Sequence, residues 1–156
     1  MTDIYLSVSL EAKHDFDTGA VTRRLGIEPT QVRRLGTPIQ PGHDALYKYS
    51  SWEWDTAHIS ADDAGSLIAQ AAAMFQSRAT VMRELADEYG GKWAIVLDGY
   101  VHSGDAPTVL LPPDFVEFCA AIGAIFQYVI DISYDYTSKG GAARGTAEDR
   151  PDTHRG

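Results

Sequence analysis

Carboxylates recur at short, regular spacing in three places in this chain, and the spacing decides what they could do together. Glu53 and Asp55 flank Trp54, Asp98, Tyr100 and His102 follow one another at alternate positions, and Asp131 and Asp135 stand four apart. Alternate side chains of an extended strand share a face, so each set presents its polar groups to one side. If the three strands belong to one sheet, five carboxylates crowd a single surface, with Tyr100 and His102 near one edge. Carboxylates so grouped raise one another's pKa unless a cation stands near. Such a surface can receive a cationic protein or ligand, serve as a metal or carboxylate catalytic site, or be a solvated outer face whose charges discourage aggregation.

The basic residues offer a second candidate. Arg23, Arg24, Arg33 and Arg34 bracket the turn from Gly26 to Thr30. Guanidinium pairs can grip carboxylate or phosphate bidentately, which makes these four anion-binding candidates. The competing role is internal pairing with the abundant acids. The five histidines, His14, His43, His58, His102 and His154, lack chelating spacing. Asp98 and His102 would lie about 13 Å apart along a strand, too far to hold one ion by themselves.

Cys119 is the only cysteine, so no internal disulfide and no zinc site of paired thiolates can form. Its neighbours Phe115, Phe118 and Ile122 mark it as a core residue. Trp52 and Trp54 could stack a ligand, but they occupy the inward phase of their strand, and at least one is expected in the core. There is no Gly-rich phosphate loop, no Gly-x-Ser-x-Gly elbow and no Cys-x-x-Cys pair. The residues therefore designate no catalytic group, no metal ligand set and no cofactor.

The elements that must position these side chains follow from periodicity. Ile4, Leu6, Val8 and Leu10 alternate with Tyr5, Ser7 and Ser9, the pattern of a strand with one buried face. A short helix over Gly19 to Leu25 has Thr18 as its expected N-cap and Gly26 as its left-handed terminator, with Ile27 packing back on Val21. Gln31 to Tyr47 carry no sustained period and read as a long loop, a kind of segment that is often functional. A second strand covers Tyr49 to Thr56. Ser60 and Asp63 resemble a capping box before the longest helix, which Gly90-Gly91 stops. Trp93 to His102 form a third strand and Thr108 to Leu111 a short fourth. Pro113 opens a third helix that Gly123 closes. The last strand is Ile125 to Tyr136.

From the second strand onward this order is β-α-β-β-α-β. The expected fold is thus α+β: a ferredoxin-like core with an additional N-terminal β-α unit, a mostly antiparallel sheet, and helices on one face.

Composition bounds the rest. A chain of 156 residues with 44% hydrophobic content suits one core. From Ser138 to Gly156 large apolar side chains are missing, so residues 1–137 are expected to form one domain and 138–156 a disordered tail. That tail carries four basic and three acidic groups, a net of +1, so the chain's −9 leaves −10 on the domain. The charge argues against nucleic acid and anionic membrane as partners and favours a cationic protein. No apolar run is long enough to span a bilayer and the N-terminus lacks a signal-peptide pattern, so a cytoplasmic location is expected.

Several stretches taken together resemble the domain-of-unknown-function family 4279. They are Ala20 to Thr30, Gly36, Ser51-Trp52-Glu53, and the run from Leu110-Leu111 through Ala121-Ile122-Gly123-Ala124 to Ile130-Asp131-Ile132. The resemblance covers nearly all of residues 4 to 136 and implies a small bacterial domain of this size and fold, with no catalytic residue to carry over. Pro112-Pro113-Asp114 departs from the Ser-rich helix start that the resemblance leads one to expect.

The function expected from these features is non-enzymatic: a protein-binding module, inhibitor-like or immunity-like, that uses an acidic sheet face. One alternative is a carboxylate- or metal-dependent enzyme whose site lies under the 31–47 loop, with His102 or Tyr100 taking part. Another is a structural subunit that forms homo-oligomers through an exposed strand edge.

Overall fold

Strict alternation along β1 (Asp3–Ala12) buries Ile4, Leu6, Val8, Leu10 and Ala12 on one face and turns Tyr5, Ser7, Ser9 and Glu11 to the other. In the computed structural model, which describes residues 3–60, 63–103 and 106–134, this strand is the centre of the sheet. The remaining elements are α1 (Thr18–Leu25), β2 (Gln31–Arg33), β3 (Ser50–Asp55), α2 (Ala64–Phe75), a 3-10 turn (Gln76–Arg78), α3 (Ala79–Tyr89), β4 (Lys92–His102), α4 (Pro113–Ala121) and β5 (Ile125–Ser133). The five strands lie in the order β2-β3-β1-β4-β5.

Neighbouring pairs are antiparallel except β4 and β5, which are parallel, so the sheet is mixed. Directly paired residues share a face. The buried face of β1 therefore continues through Trp52 and Trp54 opposite Leu10 and Val8, and through Trp93, Ile95 and Leu97 opposite Leu10, Val8 and Leu6. Phe126 and Ile132 extend it into β5 beside Ile95 and Val101. Val21 and Leu25 of α1, Leu67, Ile68, Ala71 and Phe75 of α2, Met82 and Leu85 of α3, and Phe115, Phe118 and Cys119 of α4 pack against this face.

Two buried indoles tie helices to the sheet. Trp52 Nε1 donates to Thr22 Oγ1 at 3.0 Å and Trp93 Nε1 to the Met82 carbonyl at 2.7 Å, so neither N–H is left unpaired in the core. The α1 N-cap is Asp17, one residue ahead of the expected Thr18, because its Oδ1 accepts from the Ala20 N–H at 3.0 Å. Gly26 ends α1 at φ 69°, as expected. The long second helix is interrupted at Gln76–Arg78. There Arg78 turns inward and donates to the Leu25 carbonyl at 2.8 Å and to the Met74 carbonyl.

One expected element does not form: Thr108 to Leu111 lie outside the sheet. Pro107 and Pro112 frame only four residues, and Leu110 is 77% exposed, so the segment has too little ladder and too little apolar contact to hold a strand. The chain passes directly into α4, and β5 returns parallel to β4 as a β-α-β crossover. The elements from β1 to β4 keep a β-α-β-β-α-β order compatible with a ferredoxin-like core, and the additional unit is α4-β5 at its C-terminal side rather than an N-terminal β-α unit. Conversely, the 31–47 segment is more than a loop. Gln31–Arg33 pair with β3, and residues 36–47 double back through hydrogen bonds from Gly36 to Tyr47 and from Ile39 to Ala45. Asp135 and the 138–156 tail lie outside the described residues. No helix among the described residues is long and apolar enough to cross a membrane.

Candidate functional site

The sheet face opposite the helices carries the residues whose spacing suggested chemistry. Strand register sets them in rows. Gln31, Glu53, Ser9 and Ala94 form one, and Asp55, Ser7, Val96 and Gln127 the next. Tyr5, Asp98 and Val129 then follow, and after them Asp3, Tyr100 and Asp131. His102 stands beside Ser133 at the end. Glu53, Asp55, Asp98, Tyr100, His102 and Asp131 thus do share a face.

The rows separate these residues by environment. Glu53 is committed to an ion pair: Arg33 Nη1 lies 2.7 Å from its Oε2, both side chains being mostly buried. Asp55, two residues on, has no such cation. Burial, and after it the charge of Glu53, pushes its carboxyl up to about 6, and its Oδ1 is enclosed without a hydrogen-bond partner among the described residues. Tyr5 donates its hydroxyl to Asp98 Oδ2 at 3.3 Å. Its phenol is pushed up to about 12, by burial first and then by the charges of Asp98, Asp55 and Glu53. His58 stacks on Tyr5 at 4.4 Å between ring centroids and meets the Asp3 carboxylate at 3.0 Å. Tyr100 and His102 both hydrogen-bond Ser133 Oγ, His102 at 2.9 Å, and their rings stack.

Three of the residues that complete this cluster, Asp3, Tyr5 and His58, were not singled out from the sequence. The signal for two was present, since Asp3 and Tyr5 occupy the outward phase of the first strand. His58 lies past the end of β3, and only the Ile4–Ile59 bridge brings it onto the face.

The family model described as Domain of unknown function (DUF4279) matches residues 2–133, a span that includes every strand of the sheet. The chain belongs to this family. No curated protein and no solved structure matches it.

In this DUF4279 domain the four arginine candidates are each engaged with carboxylates. Arg23 pairs with Asp17 at 3.5 Å, Arg24 with Glu84 at 2.9 Å and Glu88 at 2.6 Å, Arg33 with Glu53, and Arg34 with Asp15 at 3.3 Å. The described residues hold no group of three or more His, Cys, Asp or Glu side chains placed to share a metal ion. The 31–47 segment does not roof His102 or Tyr100. It leaves the sheet where β3 begins, beside the Lys92 end of β4, as the Ser50–Ala12 and Lys92–Glu11 pairings show. Tyr100 lies eight residues along that strand, about 26 Å away. The open face of DUF4279 here has two ends of different character: Asp3, Asp55, Asp98 and Asp131 gather toward one, whereas toward the other Arg33 and Lys92 stand beside Glu53 and Glu11.

Proposed function

We propose that this domain is a non-enzymatic binding module that docks a cationic protein segment on the acidic end of its open sheet face, in the manner of an inhibitor or immunity protein. One observation carries the reading. Asp3, Asp55, Asp98 and Asp131 gather on an uncovered face, and among the described residues none of them meets a lysine or arginine. The raised carboxyl of Asp55 and its enclosed, unpartnered oxygen show what this arrangement costs the isolated domain. An incoming ammonium or guanidinium group relieves that cost, and Tyr5, Tyr100 and His58 supply flat surfaces against which its aliphatic stem can lie.

The test is titration of a fluorescent Lys/Arg-rich peptide against the native domain and two double variants of equal charge. Asp98→Asn with Asp131→Asn alters the face; Asp114→Asn with Glu117→Gln alters the exposed side of α4. The face variant should weaken binding about tenfold, the scale of one or two charge-assisted contacts, and the α4 variant less than about twofold. Equal losses would mean that net charge alone attracts the peptide, and the reading fails.

A second reading, self-association as a structural subunit, is favoured by the open outer edge of β5, where Ile125, Tyr128 and Val129 are exposed.

A further inference from the structure

The chain has four lysines, and the three that precede residue 138, Lys13, Lys48 and Lys92, come from distant stretches of sequence to line one cavity. It opens at the end of the sheet where β1 stops and β4 and β5 begin. Its volume is about 660 Å³, within the range of roughly 300–1,000 Å³ typical of small-molecule sites. Tyr49, Ala94 and Ile125 give it apolar walls.

The three lysines differ from every other described cation. Arg23, Arg24, Arg33, Arg34 and Arg83 each meet a carboxylate, and Arg78 donates to two carbonyls. None of the three lysines makes an ion pair among the described residues. In a chain with 22 acidic residues, three unpaired ammonium groups at one opening are not explained by balancing internal charge. One group of the cavity opposes an anion, and three lysines outnumber it. Glu11, directly opposite Lys92, has its carboxyl pushed up by burial and by Glu53, against the effect of Arg33.

We infer that this cavity binds a small organic anion that combines an apolar, flat body with a single carboxylate-like head. The body lies among Tyr49, Ala94 and Ile125, and the head meets Lys13, Lys48 and Lys92. Lysine is a point charge on a flexible stem, so recognition depends on the charge of the head more than on its geometry. The apolar walls account for the body and the ammonium groups for the head; a bare inorganic ion would use only the lysines and a neutral ring only the walls.

Isothermal titration of the full chain with 2-naphthoate, its neutral isostere 2-naphthamide and inorganic phosphate separates these contributions. The naphthoate should bind saturably at one site, at least tenfold more tightly than either of the others. Lys48→Gln with Lys92→Gln should weaken it at least tenfold, while Arg83→Gln, a cation lost outside the cavity, should leave it unchanged. The lysines are exposed, so the variant is expected to fold, and circular dichroism verifies that it does. Equal binding of the amide, equal binding of phosphate, no saturable binding of naphthoate at millimolar concentration, or insensitivity to the lysine variant would each overturn the inference.

Discussion

Asp55 is the residue at which fold and function pull against each other. Its carboxyl has an ordinary value of 3.8 and is raised to about 6 in the folded domain, chiefly by burial and then by Glu53. Folding therefore increases its proton affinity. Above about pH 6 it is charged in both states and its poor surroundings count fully against folding; between pH 6 and 3.8 the folded state takes up the proton first, so this group's penalty fades as the pH falls. Asp55→Asn should stabilise the domain at pH 7 by about 1 kcal/mol once solvent screening of a half-buried group is allowed for, and the gain should shrink by pH 4.5. Urea titrations at the two pH values check this, and a loss of stability at pH 7 would contradict it. Much of the acidic face was legible, because Glu53, Asp55, Asp98 and Asp131 are assigned by strand phase alone. The pairing of Glu53 with Arg33 was not, since it depends on β2 joining β3, and Gln31–Arg33 are too few to show a period. The lysine cavity was hidden for a related reason: residues 13, 48 and 92 converge only through the register of three strands.

Among the elements, Arg78 holds the helical layer together at one junction. It supplies donors to a carbonyl at the end of α1 and to one at the end of α2, groups that helix termini leave unpaired. Arg78→Ala should destabilise the domain by about 2 kcal/mol. Arg24, which bridges α1 to α3 through Glu84 and Glu88 on the surface, should cost less than about 1 kcal/mol when changed to Ala. Comparable losses in chemical denaturation would mean that the Arg78 bonds contribute no more than a solvated ion pair. The elements themselves were visible where a period ran long: β1, β3, β4 and the helical stretches appear near their expected positions. Thr108 to Leu111 misled because four apolar-leaning residues satisfy alternation by chance. Removing that strand reverses the direction of β5, which is why a small local error moved the additional unit from the N-terminal to the C-terminal side.

For the molecule as a whole, the two edges of the sheet are unequal. The β2 edge is three residues long and bears Arg33, whereas the β5 edge runs for nine, with Ile125 and Val129 exposed at 50% and 46%. A long edge whose one charged residue is Asp131, left unpaired by any other described strand, favours pairing with a second copy about a two-fold axis. Light scattering behind a sizing column should show the mass doubling with concentration and Val129→Lys restoring the monomer; a constant monomer mass at high concentration would remove this second reading.

The unbalanced carboxylates at one end of the face, against mixed charges at the other, also give the domain a permanent dipole moment in the plane of its sheet. The Asp98 and Lys92 rows are about 20 Å apart, whereas the Debye length at 0.1 M salt is about 10 Å. In dilute buffer the field turns an approaching ion toward one pole before contact. At cellular ionic strength the poles no longer sense each other, so filling either one leaves the affinity of the other unchanged.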